Sequence, residues 1–334
     1  MIHRIRTIDA HAAGEPLRLV VDGFPTPEGR TMLEKRAWAL KHVDHLRRAI
    51  MLEPRGHADM YGALLTEPVT PGADAGVLFM HNEGWSTMCG HGVIAVTTIA
   101  LERELLFASG RTSLTLDAPA GPVRATATLR RGATGVRVEG VGFVNVPSFV
   151  HEAGLPVTIG GRVVPVDVAF GGAFYAIVDA EAAGVPIGPE RLPELRALGM
   201  AIKREVERLR HVVHPLDDGL KGIYGTIFTA PPTDPAAHLR NVTIFADAEV
   251  DRSPCGTGTA AVMAVLDEMG LIMDDVPFVH ESIVGTTFTG RVTGRQEVGG
   301  RAAIVPEIAG AAWITGEHTF LIDGDDPLKA GFRI

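Results

Sequence analysis

Cys89 and Cys255 are the only thiols in the chain, and both stand where a thiol could do chemistry. Each opens the same pattern, C-G-x-G-x-x-A-V: Cys89-Gly90-His91-Gly92-Val93-Ile94-Ala95-Val96 and Cys255-Gly256-Thr257-Gly258-Thr259-Ala260-Ala261-Val262. Both patterns run on into apolar, helix-like segments, the first to Leu106 and the second to Met269, with Gly270 placed to close the second as a C-cap. A cysteine just before a helix meets unpaired backbone N–H groups and about half a positive charge, which lower a thiol pKa and bind anions. The glycines beside it let a ligand approach the backbone. If the two halves face each other about a pseudo-twofold axis, the thiols flank one cleft lined by two sets of carboxylate-binding amides. That arrangement suits stereoinversion, in which a thiolate takes a proton from one face of a carbon and a thiol returns one to the other.

Other readings of these residues are weaker. A single free cysteine is most often a small buried hydrophobe, but both cysteines of the chain occupy matched positions of an internal repeat. Two cysteines make no disulfide framework and lack zinc-ligand spacing, so no metal is expected. Pairing Cys89 with His91 as a cysteine hydrolase is disfavoured, because residues two apart on a helix lie roughly 200° apart. The G-x-G element lacks the strand-GxGxxG-helix context of a nucleotide site. An amino-acid-binding module would use the same helix termini but needs no thiols, and a thiol-redox protein would need the two to approach for a disulfide.

The elements that position these motifs fit a chain of 334 residues, long enough for two domains. Apolar residues make up 46% and charged residues 21%, ordinary globular values that argue against disorder. A formal net charge of -9 without basic clusters excludes a phosphate-tracking surface, so nucleic acid is not an expected partner. The N-terminal Met1-Ile2-His3-Arg4-Ile5-Arg6 passes into Asp9-Ala10-His11 with no apolar run for export or membrane spanning, which reads as a cytoplasmic protein without a membrane partner.

Strand patterns cover Arg18–Val21, Ala75–Met80, Ser113–Leu116 and Val123–Ala127, and restart at Val136–Glu139, Val163–Val166, Phe174–Val178 and Val242–Phe245. The segment from Leu33 to Ile50, free of Gly and Pro, predicts one amphipathic helix with Leu33, Ala37, Leu40 and Val43 on its apolar face. Leu192, Leu195, Leu198, Ile202, Val206 and Leu209 predict a second. The polar, turn-rich stretch from Arg130 to Gly135 places the domain crossing nearby, giving residues 1–132 with 318–334 as one domain and 133–317 as the other.

At Met88-Cys89-Gly90-His91-Gly92 and Asp251-Arg252-Ser253-Pro254-Cys255-Gly256-Thr257-Gly258-Thr259 the sequence resembles the proline racemase family and, by fold, the wider diaminopimelate epimerase-like group. Asp9–Pro16 and Glu53–His57 support the likeness, which runs through nearly the whole chain. The resemblance implies an α/β (α+β) fold of two pseudo-symmetric domains, each a sheet wrapped around a central helix, with the active site in the cleft between them. It also implies a homodimer that needs no cofactor, neither metal nor pyridoxal phosphate.

By the same resemblance Cys89 and Cys255 are the two acid/base thiols, and the backbone amides of Gly90, His91, Gly256 and Thr257 hold the substrate carboxylate. Asp251 and the His91 side chain contact the ring amine, and His57 is the candidate for a ring hydroxyl. His11 and His57 serve equally well as structural hydrogen-bonding groups. Trans-3-hydroxyproline dehydratases of this family typically carry threonine at the second cysteine position, so Cys255 favours a 2-epimerase or racemase of hydroxyproline or proline. Met80–Ser86 is more similar to the dehydratase-containing branch, which brings in a bifunctional trans-3-hydroxy-L-proline dehydratase/2-epimerase as the alternative.

Overall fold

The computed structural model describes residues 2–106, 111–132, 135–274 and 276–333. By its internal contacts the chain forms two compact units, Met1–Phe143 with Gly310–Ile334, and Val144–Ala309. These divisions differ from those expected at 132/133 and 317/318. Residues 133 and 134, beside the first expected crossing, lie outside the described residues. A cut at 317/318 would sever strand Ala312–Asp323, which pairs along its whole length with Ile2–Ala12.

In the first unit Ile2–Ala12 makes an antiparallel hairpin with Glu15–Asp22. Ala13 and Gly14 form its two-residue turn with φ of 49° and 94°, the positive pair that a type I′ turn requires. After a helical crossover, Tyr61–Thr66 lies parallel to Glu15–Asp22 and antiparallel to Ala75–His81. Ala75–His81 pairs with the short strand Trp85–Ser86 and, beyond helix Gly90–Glu102, runs parallel to Ser113–Ala118.

The second unit repeats this succession. Arg162–Phe170 is antiparallel to Phe174–Asp179, which after its own crossover lies parallel to Gly225–Ala230. Then come antiparallel Leu239–Phe245, the short strand Glu249–Asp251, helix Gly256–Glu268 and the parallel return strand Phe278–Glu281. Phe149–Ile159 flanks Arg162–Phe170 as Ala312–Asp323 flanks Ile2–Ala12. Each motif cysteine therefore stands between a short strand and a helix at the same point of the same topology.

The two helices that follow the cysteines, each of 13 residues, are the centres of their units. Every residue from Gly90 to Leu101, and from Gly256 to Val265, is buried. A helix apolar all round must be enclosed. Alanines and glycines on both keep them slender, so the strands of each unit pack closely around them. Both end in a Schellman closure: Leu105 N–H bonds the Ala100 carbonyl, and Leu271 N–H bonds that of Leu266. Gly270 takes the left-handed position with φ of 71°, while Glu104 adopts it with φ of 51° and no glycine to ease it.

Helix Leu192–Leu209 forms as expected, burying Leu195, Ile202 and Val206. The expected helix 33–50 is two helices, Met32–His42 and Asp44–Met51, divided at Val43. Most of its predicted stripe points outward: Leu33, Ala37 and Leu40 are exposed and only Val43 is buried, whereas Met32, Lys35 and Ala39 face the core. Burying Lys35 is possible because its ammonium finds the Glu67 carbonyl at 2.6 Å and Thr66 Oγ1 at 3.3 Å. The break lets Arg47 turn inward to the carbonyls of His81 and Asn82 while pairing with Asp44. No helix among the described residues is long and apolar enough to cross a membrane.

Candidate functional site

In the first unit, strand Trp85–Ser86 delivers Cys89 to the N-cap of helix Gly90–Glu102 with φ of -151°. Its Sγ accepts the Gly92 N–H at 3.2 Å, so the thiol is the cap. A side chain at position 92 is impossible without rearrangement, since a Cβ there would sit 2.5 Å from Phe79 Cε1 and 2.9 Å from the sulfur. The second glycine of C-G-x-G is thus explained by the approach of the sulfur to the backbone. Gly90 and His91 occupy the first turn, whose N–H groups have no intrahelical acceptor.

His91 departs from the expected geometry. Its Nδ1 lies 3.2 Å from Cys89 Sγ, although the helical spacing argued against contact. Cys89 is not inside the helix: as the extended cap it lies off the helical wheel, so the separation of roughly 200° does not apply. The imidazole is buried and meets the Tyr61 ring edge-on at 4.8 Å, and the Tyr61 hydroxyl pairs with Ser86 Oγ at 2.5 Å. His57 is exposed, with its ring on the Ala58 carbonyl at 2.7 Å. His11 stacks on Trp313 at 5.3 Å and accepts the Gly14 N–H.

In the second unit Cys255 caps helix Gly256–Glu268 by the same bond, its Sγ accepting the Gly258 N–H at 3.3 Å. A Cβ on Gly258 would lie 2.9 Å from that sulfur. Its backbone differs from that of Cys89. Cys255 has φ of 64°, rarely adopted by an L-residue, and the surroundings hold it there. The Pro254 carbonyl accepts from Asn241 Nδ2 at 2.8 Å and from Thr259 Oγ1 at 3.1 Å. The Cys255 N–H donates to Ser253 Oγ, which in turn donates to Asp251 at 2.7 Å.

The chemistry around Cys255 reverses one expectation. Instead of lowering the thiol pKa, the site pushes it up to about 12, because burial and then the Asp251 carboxylate disfavour the thiolate more than the Tyr175 hydroxyl and the helix amide favour it. Burial also raises Asp251 to about 6. Tyr175, expected only as part of strand Phe174–Val178 and not as a site residue, brings its hydroxyl 3.6 Å from Cys255 Sγ and 2.6 Å from Thr257 Oγ1. It lies eighty positions from the cysteine in an ordinary strand pattern, so no local signal marks it.

Behind the loop, Thr259 gives its proton to Pro254, so the bond between its hydroxyl and His280 Nδ1, 2.9 Å long, requires the ring to donate from Nδ1. His280 is fully buried and burial lowers it to about 3. In the unfolded chain it titrates near 6.5, so between 6.5 and 3 the unfolded state binds a proton that the folded state refuses. Stability therefore falls as the pH drops through that window, by up to about 5 kcal/mol. The raised Asp251 acts oppositely over the narrower interval from about 6 to 3.8. Guanidinium unfolding at pH 7 and pH 4 checks this: His280→Asn, which keeps an N–H donor for Thr259, is expected to narrow the gap between the two midpoints, and an unchanged gap contradicts the assignment.

Among the described residues no three His, Cys, Asp or Glu side chains are grouped to hold a metal ion. Each unit thus offers a capping thiol and the first-turn amides of a buried helix, with His91 beside the thiol in the first and Tyr175, Thr257 and Asp251 around it in the second.

Comparison with known proteins matches residues 7–333 to the family described as proline racemase, and the chain belongs to that family. It is 49% identical over 329 residues to a protein of Bacillus thuringiensis subsp. konkukian named trans-3-hydroxy-L-proline dehydratase, covering 98% of this chain and 97% of that one. It is 42% identical over 332 residues to a 3-hydroxyproline 2-epimerase of Burkholderia multivorans, with 99% and 98% covered. Among solved structures it is similar to a hydroxyproline epimerase of Agrobacterium vitis with bound trans-4-hydroxy-L-proline, at a TM-score of 0.91 and 32% identity, covering 99% of this chain and 95% of that one.

Proposed function

We propose that the protein inverts the α-carbon of proline or a hydroxyproline with Cys89 and Cys255 as its two acid/base groups, without a cofactor. The observation that carries this reading is the matched placement of two thiols, each capping a buried central helix at the same point of a repeated topology. Removing a proton beside a carboxylate builds charge on the carboxylate oxygens, so stabilisation must be strongest there. The amides of Gly90, His91, Gly256 and Thr257 supply it, with His91 and Asp251 at the ring amine. One cysteine acts as thiolate and the other as thiol, and inversion exchanges the roles. Burial keeps Cys255 protonated in the free protein, the state required of the group that delivers the second proton.

A second reading, a bifunctional trans-3-hydroxy-L-proline dehydratase/2-epimerase, is supported by the 49% identity to a protein of that dehydratase name and by the imidazole beside Cys89. Both readings carry with them a cytoplasmic setting, where the thiols stay reduced, and the homodimer implied by the family.

Incubation with L-proline, trans-4-hydroxy-L-proline and trans-3-hydroxy-L-proline in D2O, followed by NMR, tests them together. Loss of the α-proton signal with growth of the epimer supports inversion, and consumption of the 3-hydroxy isomer without an epimer supports dehydration. Neither exchange nor consumption of any of the three overturns both. The reaction is expected to proceed with a chelator present and without added pyridoxal phosphate.

A further inference from the structure

The two thiols differ in what holds them. Cys89 has an imidazole nitrogen at 3.2 Å, and the nearby Tyr61 hydroxyl is engaged by Ser86. Cys255 has hydroxyls instead: Tyr175 at 3.6 Å and Thr257 at 3.9 Å, themselves joined by a bond of 2.6 Å. The Tyr175 ring is wholly buried and fixed edge-on to Tyr224 at 5.8 Å, and Tyr224 stacks on Phe245. With the ring fixed, the only freedom left to the phenol is the direction of its O–H, which has one proton and two acceptors in reach.

We propose that Tyr175 is a positioning residue for Cys255, its hydroxyl donating to Thr257 Oγ1 while the cysteine is a thiol and turning to donate to Sγ when it becomes a thiolate. No proton changes owner in this step. When the phenol turns, the Thr257 hydroxyl turns with it and donates to the phenol oxygen, so neither group is left without a partner. The device answers a specific difficulty. Cys255 is buried beside the Asp251 carboxylate, the ionised group facing it, and one helix amide is its only backbone donor among the bonds described. A thiolate there needs a further donor that does not compete when the sulfur is protonated, and a two-way hydroxyl meets both conditions. Burial holds the phenol itself protonated, so it remains a donor throughout the working pH range.

The proposal rests on the reading of Cys255 as an acid/base group, but its test does not depend on turnover. The intact protein is treated with limiting iodoacetamide at pH 8.5, and the label on Cys255 is measured against that on Cys89 by peptide mass spectrometry. Tyr175→Phe is expected to lower the Cys255:Cys89 ratio about tenfold, the effect of removing one hydrogen bond to an anion. Tyr175→Phe/Thr257→Val, which leaves no hydroxyl without a partner, is expected to give the same fall, and it answers for the single variant should that one fold poorly. Thr257→Val alone keeps the phenol donor and is expected to hold the ratio within about twofold. An unchanged ratio in the Tyr175 variants overturns the proposal even if their activity or melting temperature drops. A fall in a wild-type background that inverts no proline-class substrate would leave the positioning role standing and sink the functional reading alone.

Discussion

Cys89→Ser and Cys255→Ser are each expected to lower the inversion rate by about 10²–10⁴-fold while leaving the fold intact. Each face of the α-carbon needs its own proton carrier, and a hydroxyl is too weak an acid to stand as the resting base. Serine is close in size to cysteine and can accept the same cap bond from Gly92 or Gly258, so helix and core survive the change. The losses need not be equal. Serine at 255 still presents a proton to the carbanion when it is the donor, whereas in the base role it fails outright. Initial rates by polarimetry in both directions, with far-UV circular dichroism as the fold control, decide the matter. Either variant retaining near-wild-type inversion would sink the two-thiol mechanism.

Much of this was legible in the sequence because the relevant residues are local. The C-G-x-G-x-x-A-V repeat places each cysteine just before a helix, where both stand; that each sulfur caps its helix and that a Cβ on the second glycine would strike it are features the spacing did not announce. Strand patterns such as Phe174–Val178 and Val242–Phe245 fall inside observed strands, since alternation and β-branching act over a few residues. What escaped depends on distant partners. Lys35 is buried because Glu67 and Thr66 happen to receive its ammonium, and Tyr175 joins the site through tertiary folding alone. The contact of His91 with Cys89 escaped for a different reason. Spacing arguments assume that both residues are helical, and the cap residue is not.

Cys255→Thr is expected to separate the two reactions. In trans-3-hydroxy-L-proline the hydroxyl is trans to the carboxylate, so the α-hydrogen and the hydroxyl share one face of the ring. A base that removes that hydrogen approaches from the face the hydroxyl occupies. With Cys89 as the base for the L-substrate, the C2–H and C3–O bonds break and a C2–C3 double bond forms. The proton for the departing hydroxide comes from the same face, either from the new Cys89 thiol or from His91, 3.2 Å from the sulfur. Nothing is asked of the opposite face. Inversion of trans-4-hydroxy-L-proline has no such outlet, because its hydroxyl is not adjacent to the carbanion, and reprotonation must come from the position of Cys255. The variant should therefore lose 4-hydroxyproline inversion by about 10²-fold or more and keep any dehydration of the 3-hydroxy isomer, read as proline after borohydride reduction of the cyclic imine. Threonine at φ of 64° is strained, at a cost of about 1–3 kcal/mol, so its melting temperature should fall below that of Cys255→Ala, which serves as the parallel variant. If both variants still invert 4-hydroxyproline, or if dehydration follows Cys255 and not Cys89, the assignment of the two thiols to the two faces is wrong.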